Sequence, residues 1–177
     1  MKALIISADQ FEDTELLVPL YRFQEVGIKT DVAAPGRGTI IGKHGYEVAV
    51  QKTLDEVKPS EYDILILPGG RAPLAVRKER RALEIAKSFF RMDKPVAAIC
   101  HGQQTLVSAD LLKGRRATCY SNMVQELKDA GALYEDSEVV VDGNLITSRQ
   151  PSDLPAFMRE TFKLLKKSLA AGEAKAA

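Results

Sequence analysis

Short apolar, β-branched runs alternate along this chain with longer amphipathic stretches, and few folds accept that rhythm. "KALIIS" (2–7), "IKTDVAA" (28–34), "YDILILP" (62–68) and "KPVAAI" (94–99) read as strands, while 13–27 and 79–92 carry helical periodicity. The strand runs are almost unbroken in apolar residues, as required of a parallel sheet covered on both faces. Strand–helix–strand units within one sheet cross over right-handedly, so the expectation is an α/β fold: a three-layer sandwich around a mostly parallel central sheet.

The 177 residues suffice for one domain with a full core. We assign residues 1–168 to it and read 169–177 as a frayed tail. Between the second and third strands, "RGTIIGKHGYEVAVQKTL" (37–54) breaks the alternation and suggests a small hairpin. In "GRGTIIG" (36–42) the glycines at 36, 38 and 42 do not match dinucleotide-binding spacing, and a dinucleotide site is rejected there. "RRATCY" (115–120) reads as a strand. "SEVVVDGNLITS" (137–148) reads as a hairpin turning at Asp142 and Gly143 through a type I′ turn. A last helix over 152–168 would be capped by Ser152 or Asp153.

A formal net charge of +1 argues against capture of nucleic acid or an anionic membrane, which leaves small molecules or proteins as partners. The apolar start, Ala3 to Ile6, is too short for a secretory or membrane-spanning segment, so a cytoplasmic location is expected. Two cysteines, Cys100 and Cys119, are too few for a disulfide framework and too far apart for a CxxC motif. Reduced thiols are therefore expected.

The strand "KPVAAI" runs straight into "CHGQQTLVS", which puts Cys100, His101 and Gly102 at the seam between strand and helix. This is the pattern of a nucleophile elbow, where small residues, here Ala97, Ala98 and Gly102, let the chain double back. A thiol at a helix start meets free N–H groups and a positive dipole end, which favour a thiolate and a lowered pKa. The N–H of His101 would face a developing oxyanion. The "LPGG" ending of another strand offers Gly69 and Gly70 close to a ligand, with the Gly70 N–H as second donor. Cys119 lies mid-strand without such neighbours and reads as a core thiol.

Four ordered motifs, "FEDTELLVP" (11–19), "LPGGRAP" (67–73), "AAICHG" (97–102) and "VVVDGNLITSRQPSDLPAFM" (139–158), resemble those of the PfpI family of intracellular proteases. That family sits in the superfamily of the Parkinsonism-associated protein deglycase and the glutathione-independent glyoxalases. The resemblance implies a flavodoxin-like sandwich whose elbow cysteine is Cys100. It also implies a buried glutamate after the first strand, which four residues before a proline maps onto Glu15, with Glu12 as a nearby second carboxylate. A glutamate kept neutral by burial can donate to a thiolate, whereas an ionised one would repel it. His101 takes the place of the base, and Tyr120 matches a pocket-lining position. His44, Tyr46 and Arg71 fall at the rim or on plain surface. Protease-type members carry a glutamate after "GGRAP" that reaches the histidine across a subunit interface. Here Leu74 stands there and cannot accept an imidazole N–H. Gln103 likewise replaces a common proline.

Three functions share this activated cysteine. The first is a stress-response enzyme acting on reactive carbonyls, of glyoxalase or deglycase type, with small aldehydes or glycated proteins and peptides as substrates. The second is an intracellular cysteine peptidase, and the third a redox-sensing chaperone whose Cys100 is oxidised to a sulfinate. No metal and no cofactor is expected, and the resemblance implies homo-oligomers, dimers that stack into hexamers.

Overall fold

The computed structural model describes residues 1–176, with side chains through Ser168 and at Ala170. Strands β1 (Lys2–Ile6), β2 (Lys29–Ala34), β6 (Ile64–Leu67), β7 (Val96–Ile99) and β11 (Leu145–Ser148) form the centre of a seven-stranded sheet. β5 (Lys52–Thr53) and β10 (Val139–Asp142) lie at its edges, in the order β10-β11-β7-β6-β1-β2-β5. Among the described residues of this sheet, only β10 runs antiparallel to its neighbour. The remaining strands form two small ribbons: β3 (Gly38–Ile41) with β4 (Glu47–Val50), and β8 (Arg116–Ala117) with β9 (Leu133–Tyr134). The hairpin expected in 37–54 is this first ribbon.

From β1 the chain steps to β2 on one side and later to β6 on the other, so strand order reverses between β1 and β6. Right-handed crossovers then put the connecting helices on opposite faces. Helix α1 (Asp13–Glu25) packs with α6 (Leu154–Ala176) on one face. Helix α3 (Arg80–Arg91) packs with α4 (Gln103–Ser108) on the other, completing three layers. Helices α2 (Pro73–Val76) and α5 (Val124–Asp129) flank α4. α3 buries Ala82, Ile85, Ala86 and Phe89, an i, i+3, i+4, i+7 stripe beneath a charged outer face. Burying Ile85 and Phe89 contributes roughly 1.5–3 kcal/mol each. β6 and β7 are buried at every position, which is why their sequences read as continuous apolar runs.

Four local expectations need correction. The β10–β11 loop is Gly143–Asn144, because Asp142 still pairs with Leu145; Gly143 alone has positive φ (57°), which excludes a type I′ turn. The strand in "RRATCY" stops at Ala117, so Cys119 lies beyond it, on a segment whose Tyr120 N–H donates to the Cys100 carbonyl at 3.3 Å. Asp153 ends a 3₁₀ turn ahead of α6, and its carboxylate is bound by Arg149 at 2.9 Å. α6 itself runs from Leu154 to Ala176, beyond the helix end expected at 168. Among the described residues no helix is long and apolar enough to cross a membrane.

Candidate active site

The carboxyl ends of β1, β6 and β7 lie side by side next to the reversal in strand order, where loops diverge and leave a crevice. The loop after β1 (7–12) is stitched to the loop after β6 (68–72). Glu12 N–H donates to the Gly69 carbonyl at 3.2 Å, and Arg71 N–H to the Gln10 carbonyl at 2.8 Å. Between these loops and the end of β7 stands Cys100. Its φ of 64° is left-handed, a conformation that costs a residue with a side chain about 1–2 kcal/mol. Gly102 permits the bend, since a Cβ there would lie 2.0 Å from the Leu67 carbonyl oxygen. The elbow is pressed directly onto the end of β6.

The bend puts two neighbouring side chains in contact, although neighbours at a sharp turn ordinarily diverge. Nδ1 of His101 lies 3.2 Å from the Cys100 sulfur. On the far side of the ring, Nε2 lies 2.9 Å from Oδ1 of Asn122, which sits in the 3₁₀ turn Ser121–Met123. The Tyr120 ring tilts over the imidazole at 5.2 Å between centroids. Burial is the main force lowering the proton affinity of His101, with Lys43 acting the same way; Asn122 and Glu126 work against them. The N–H groups of Gly70 and His101 both face the Cys100 sulfur and favour its thiolate.

Glu15, in the first turn of α1, is fully buried, and its Oε2 accepts the Gly69 N–H at 2.9 Å. Its Oε1 has no hydrogen-bond partner among the described residues, and the Cys100 thiol interacts with the carboxyl as a whole. Burial pushes the Glu15 pKa up to about 8, helped by the charge of Glu12 and resisted by the Gly69 N–H. At neutral pH it is therefore mostly protonated and able to donate. The Cys100 thiol is also pushed up, by burial first and by Glu15 second. The lowered thiol pKa expected from a helix start is thus overturned: α4 is one short turn-and-a-half that begins at Gln103, and desolvation outweighs it.

Glu12 does not share this position. It precedes α1, and its carboxylate takes the Lys43 ammonium at 2.8 Å. Asp13, beside it, accepts the N–H groups of His44 and Tyr46 at 2.9 and 3.1 Å. Burial opposes its charge, but these donors prevail and hold it below the ordinary carboxylate range. Ligand atoms of Glu12, Asp13 and His44 lie within 4.8 Å of one another. Both carboxylates are already engaged, however, in clamping the β3–β4 loop over α1. Tyr46 bonds the Tyr21 hydroxyl, and Arg71 and Leu74 are exposed.

The structure therefore brings together Cys100, His101, Glu15, Gly69, Gly70 and Tyr120, and keeps Glu12 one step away. Cys100 is only 7% exposed, so little of it is open to solvent. A wider groove of about 620 Å3 runs between α1 and α6, lined by Val18, Arg22, Leu154, Met158 and Phe162, away from the elbow. Two residues escaped the sequence reading. Asn122 lies in a turn with no periodicity to mark it. Gln103, read as a minor replacement, is buried and donates to the carbonyls of Thr118 and Ser148, both at 2.9 Å.

The DJ-1/PfpI family model matches residues 1–164. Deglycase PfpI of Pyrococcus furiosus is 52% identical over 94% of this chain and 100% of its own length. The putative cysteine protease YraA of Bacillus subtilis is 44% identical over 93% of this chain and 98% of its own. Among solved structures, a two-domain protein of Anabaena variabilis with DJ-1/ThiJ/PfpI-like and ferritin-like domains superposes with a TM-score of 0.90 at 35% identity. The match covers 94% of this chain and 49% of that one.

Proposed function

The chain belongs to the DJ-1/PfpI family, and from that premise we propose that it is a deglycase-type enzyme acting on reactive carbonyls and their early adducts through Cys100. The observation that carries this reading is the convergence on one sulfur of an imidazole nitrogen, two backbone N–H donors and a fully buried carboxyl. Such a corner suits addition of a thiol to a carbonyl.

As Sγ forms its bond to an aldehyde carbon, the thiol proton passes to Nδ1 of His101 and the carbonyl electron pair moves onto oxygen. The N–H groups of Gly70 and His101 hold that oxyanion, which then takes the proton from His101 to give a hemithioacetal. With a 2-oxoaldehyde, the ionised fraction of Glu15 removes the proton from the sulfur-bearing carbon, giving an enediolate, and returns it to the neighbouring carbon as the hemithioacetal hydroxyl proton passes to the neighbouring oxygen. The resulting thioester is hydrolysed by water to a 2-hydroxy acid, and the thiol is regenerated. Tyr120 and Gly69 form the walls, and Glu12 stays paired with Lys43.

The test is turnover of methylglyoxal without added thiol, and release of glycation from a methylglyoxal-treated peptide. Both should be lost in Cys100→Ser and kept in Cys119→Ser, whose thiol burial pushes up to about 12. Wild-type rates in Cys100→Ser would refute the reading. The Cys100–His101 contact also favours a second reading, a cysteine peptidase, which cleavage of fluorescent casein lost in Cys100→Ser would promote. Self-association into dimers or stacked dimers is proposed as well, and light scattering showing a monomer at micromolar concentration would exclude it.

A further inference from the structure

We propose that Asn122 is the positioning residue that fixes the His101 ring and its tautomer, so that thiol, imidazole and amide form a relay contained within one chain. The inference rests on Cys100 being the nucleophile of the proposed reaction. It begins from the two ends of one ring: Nδ1 is 3.2 Å from the Cys100 sulfur and Nε2 is 2.9 Å from the Asn122 amide oxygen. A neutral imidazole carries a single N–H, and an amide oxygen can only accept. The proton therefore sits on Nε2, and Nδ1 turns its lone pair to the thiol, as a base must.

The acceptor is held in place although Asn122 itself is exposed. Its 3₁₀ turn is anchored by Met123, which is buried and whose N–H donates to the Tyr120 carbonyl at 2.9 Å. Tyr120 in turn donates its N–H to the Cys100 carbonyl, so the turn is tied to the elbow it serves. Behind it, α5 is fixed by buried Leu127 and by the Arg77–Glu126 ion pair at 2.6 Å. The charged and titratable groups facing the ring are Cys100 on the elbow, Tyr120 just ahead of the 3₁₀ turn, Glu126 on α5 and Lys43 on the β3–β4 loop. Asn122 is the residue bonded to Nε2, and Leu74, exposed on α2, brings no acceptor of its own. Because the amide is neutral it orients the ring without adding the charge that would keep it protonated.

The chain has two histidines, His44 and His101, so long-range proton–nitrogen spectra contain two ring systems, and His44→Gln assigns them. The expected spectrum has His101 as the Nε2–H tautomer. In a Cys119→Ser background, Asn122→Leu should scramble that tautomer and slow alkylation of Cys100 by iodoacetamide at pH 7 by about tenfold. Asn122→Asp keeps the acceptor: alkylation should return to within about threefold of the parent, with the His101 titration moved to higher pH by the added charge. An Nδ1–H tautomer in the parent would overturn the proposal, as would an Asn122→Leu variant with unchanged tautomer, alkylation rate and pH profile. These readouts follow the ring and the thiol without any carbonyl substrate. A protein that fails to turn over aldehydes but shows the Asn122 effects would refute the proposed function alone.

Discussion

The Glu15 carboxyl and the Cys100 thiol, brought together from α1 and the end of β7, face each other in a desolvated corner where burial raises the proton affinity of both. A single negative charge on the pair has two places to reside. The N–H groups of Gly70 and His101 stabilise it on sulfur, and the Gly69 N–H stabilises it on the carboxyl. The nucleophile arises when the pair loses one proton and the remaining one stays on Glu15.

Stability should carry the mark of Glu15. Its pKa, raised from 4.5 to about 8, means that the folded state holds a proton the unfolded chain releases. Stability from this group is full below about pH 4.5 and is lost as pH rises toward about 8. Glu15→Gln should accordingly raise the melting temperature at pH 8.5, by roughly 6 °C for a gain of about 2 kcal/mol. At pH 4.5 the gain should nearly vanish. Melts across that range check this, and a gain independent of pH would contradict it.

The reactivity of the thiol should follow the same logic. Alkylation of Cys100 by iodoacetamide should climb with pH through and beyond about 8, where Glu15 ionises, instead of levelling off near pH 6. Removing the carboxylate in Glu15→Gln should move the curve to lower pH, because the amide carries no charge to oppose the thiolate. A curve unmoved by that substitution would separate the two groups.

Gln103 ties three segments together. Its amide nitrogen donates to the Thr118 and Ser148 carbonyls, with the Ala98 carbonyl at 3.4 Å. Gln103→Leu leaves these buried acceptors unpaired and should cost about 2–3 kcal/mol in urea unfolding. A loss under about 0.5 kcal/mol would mean that water replaces the amide.

Gly102 is the closest approach of elbow to sheet. A methyl group there would meet the Leu67 carbonyl oxygen at 2.0 Å, contact that only backbone movement relieves. Gly102→Ala should destabilise the protein by about 3 kcal/mol and displace the Cys100 sulfur, seen as lost alkylation selectivity over Cys119. Wild-type melting and selectivity would show the bend to be more pliant than this geometry allows.

Periodicity alone made the layers legible. The unbroken apolar runs at 64–67 and 96–99 are buried strands, and the stripe in 80–91 is a packed helix, because burial on a sheet imposes those spacings on any sequence. The motif "AAICHG" likewise marked the elbow, since the bend lies so close to the end of β6 that only glycine fits at 102. Tertiary structure decided the rest. Which carboxylate meets the thiol turned on loop pairing that leaves Glu15 inside and gives Glu12 to Lys43. The direction of the Cys100 pKa depended on how much water the packed loops exclude, an effect larger than the pull of a short helix. Asn122 reaches His101 from a turn that has no repeating pattern, so only the folded distance identifies it. Hydrophobic spacing is written locally along a chain, whereas desolvation and hydrogen-bond reach exist only once distant segments have met.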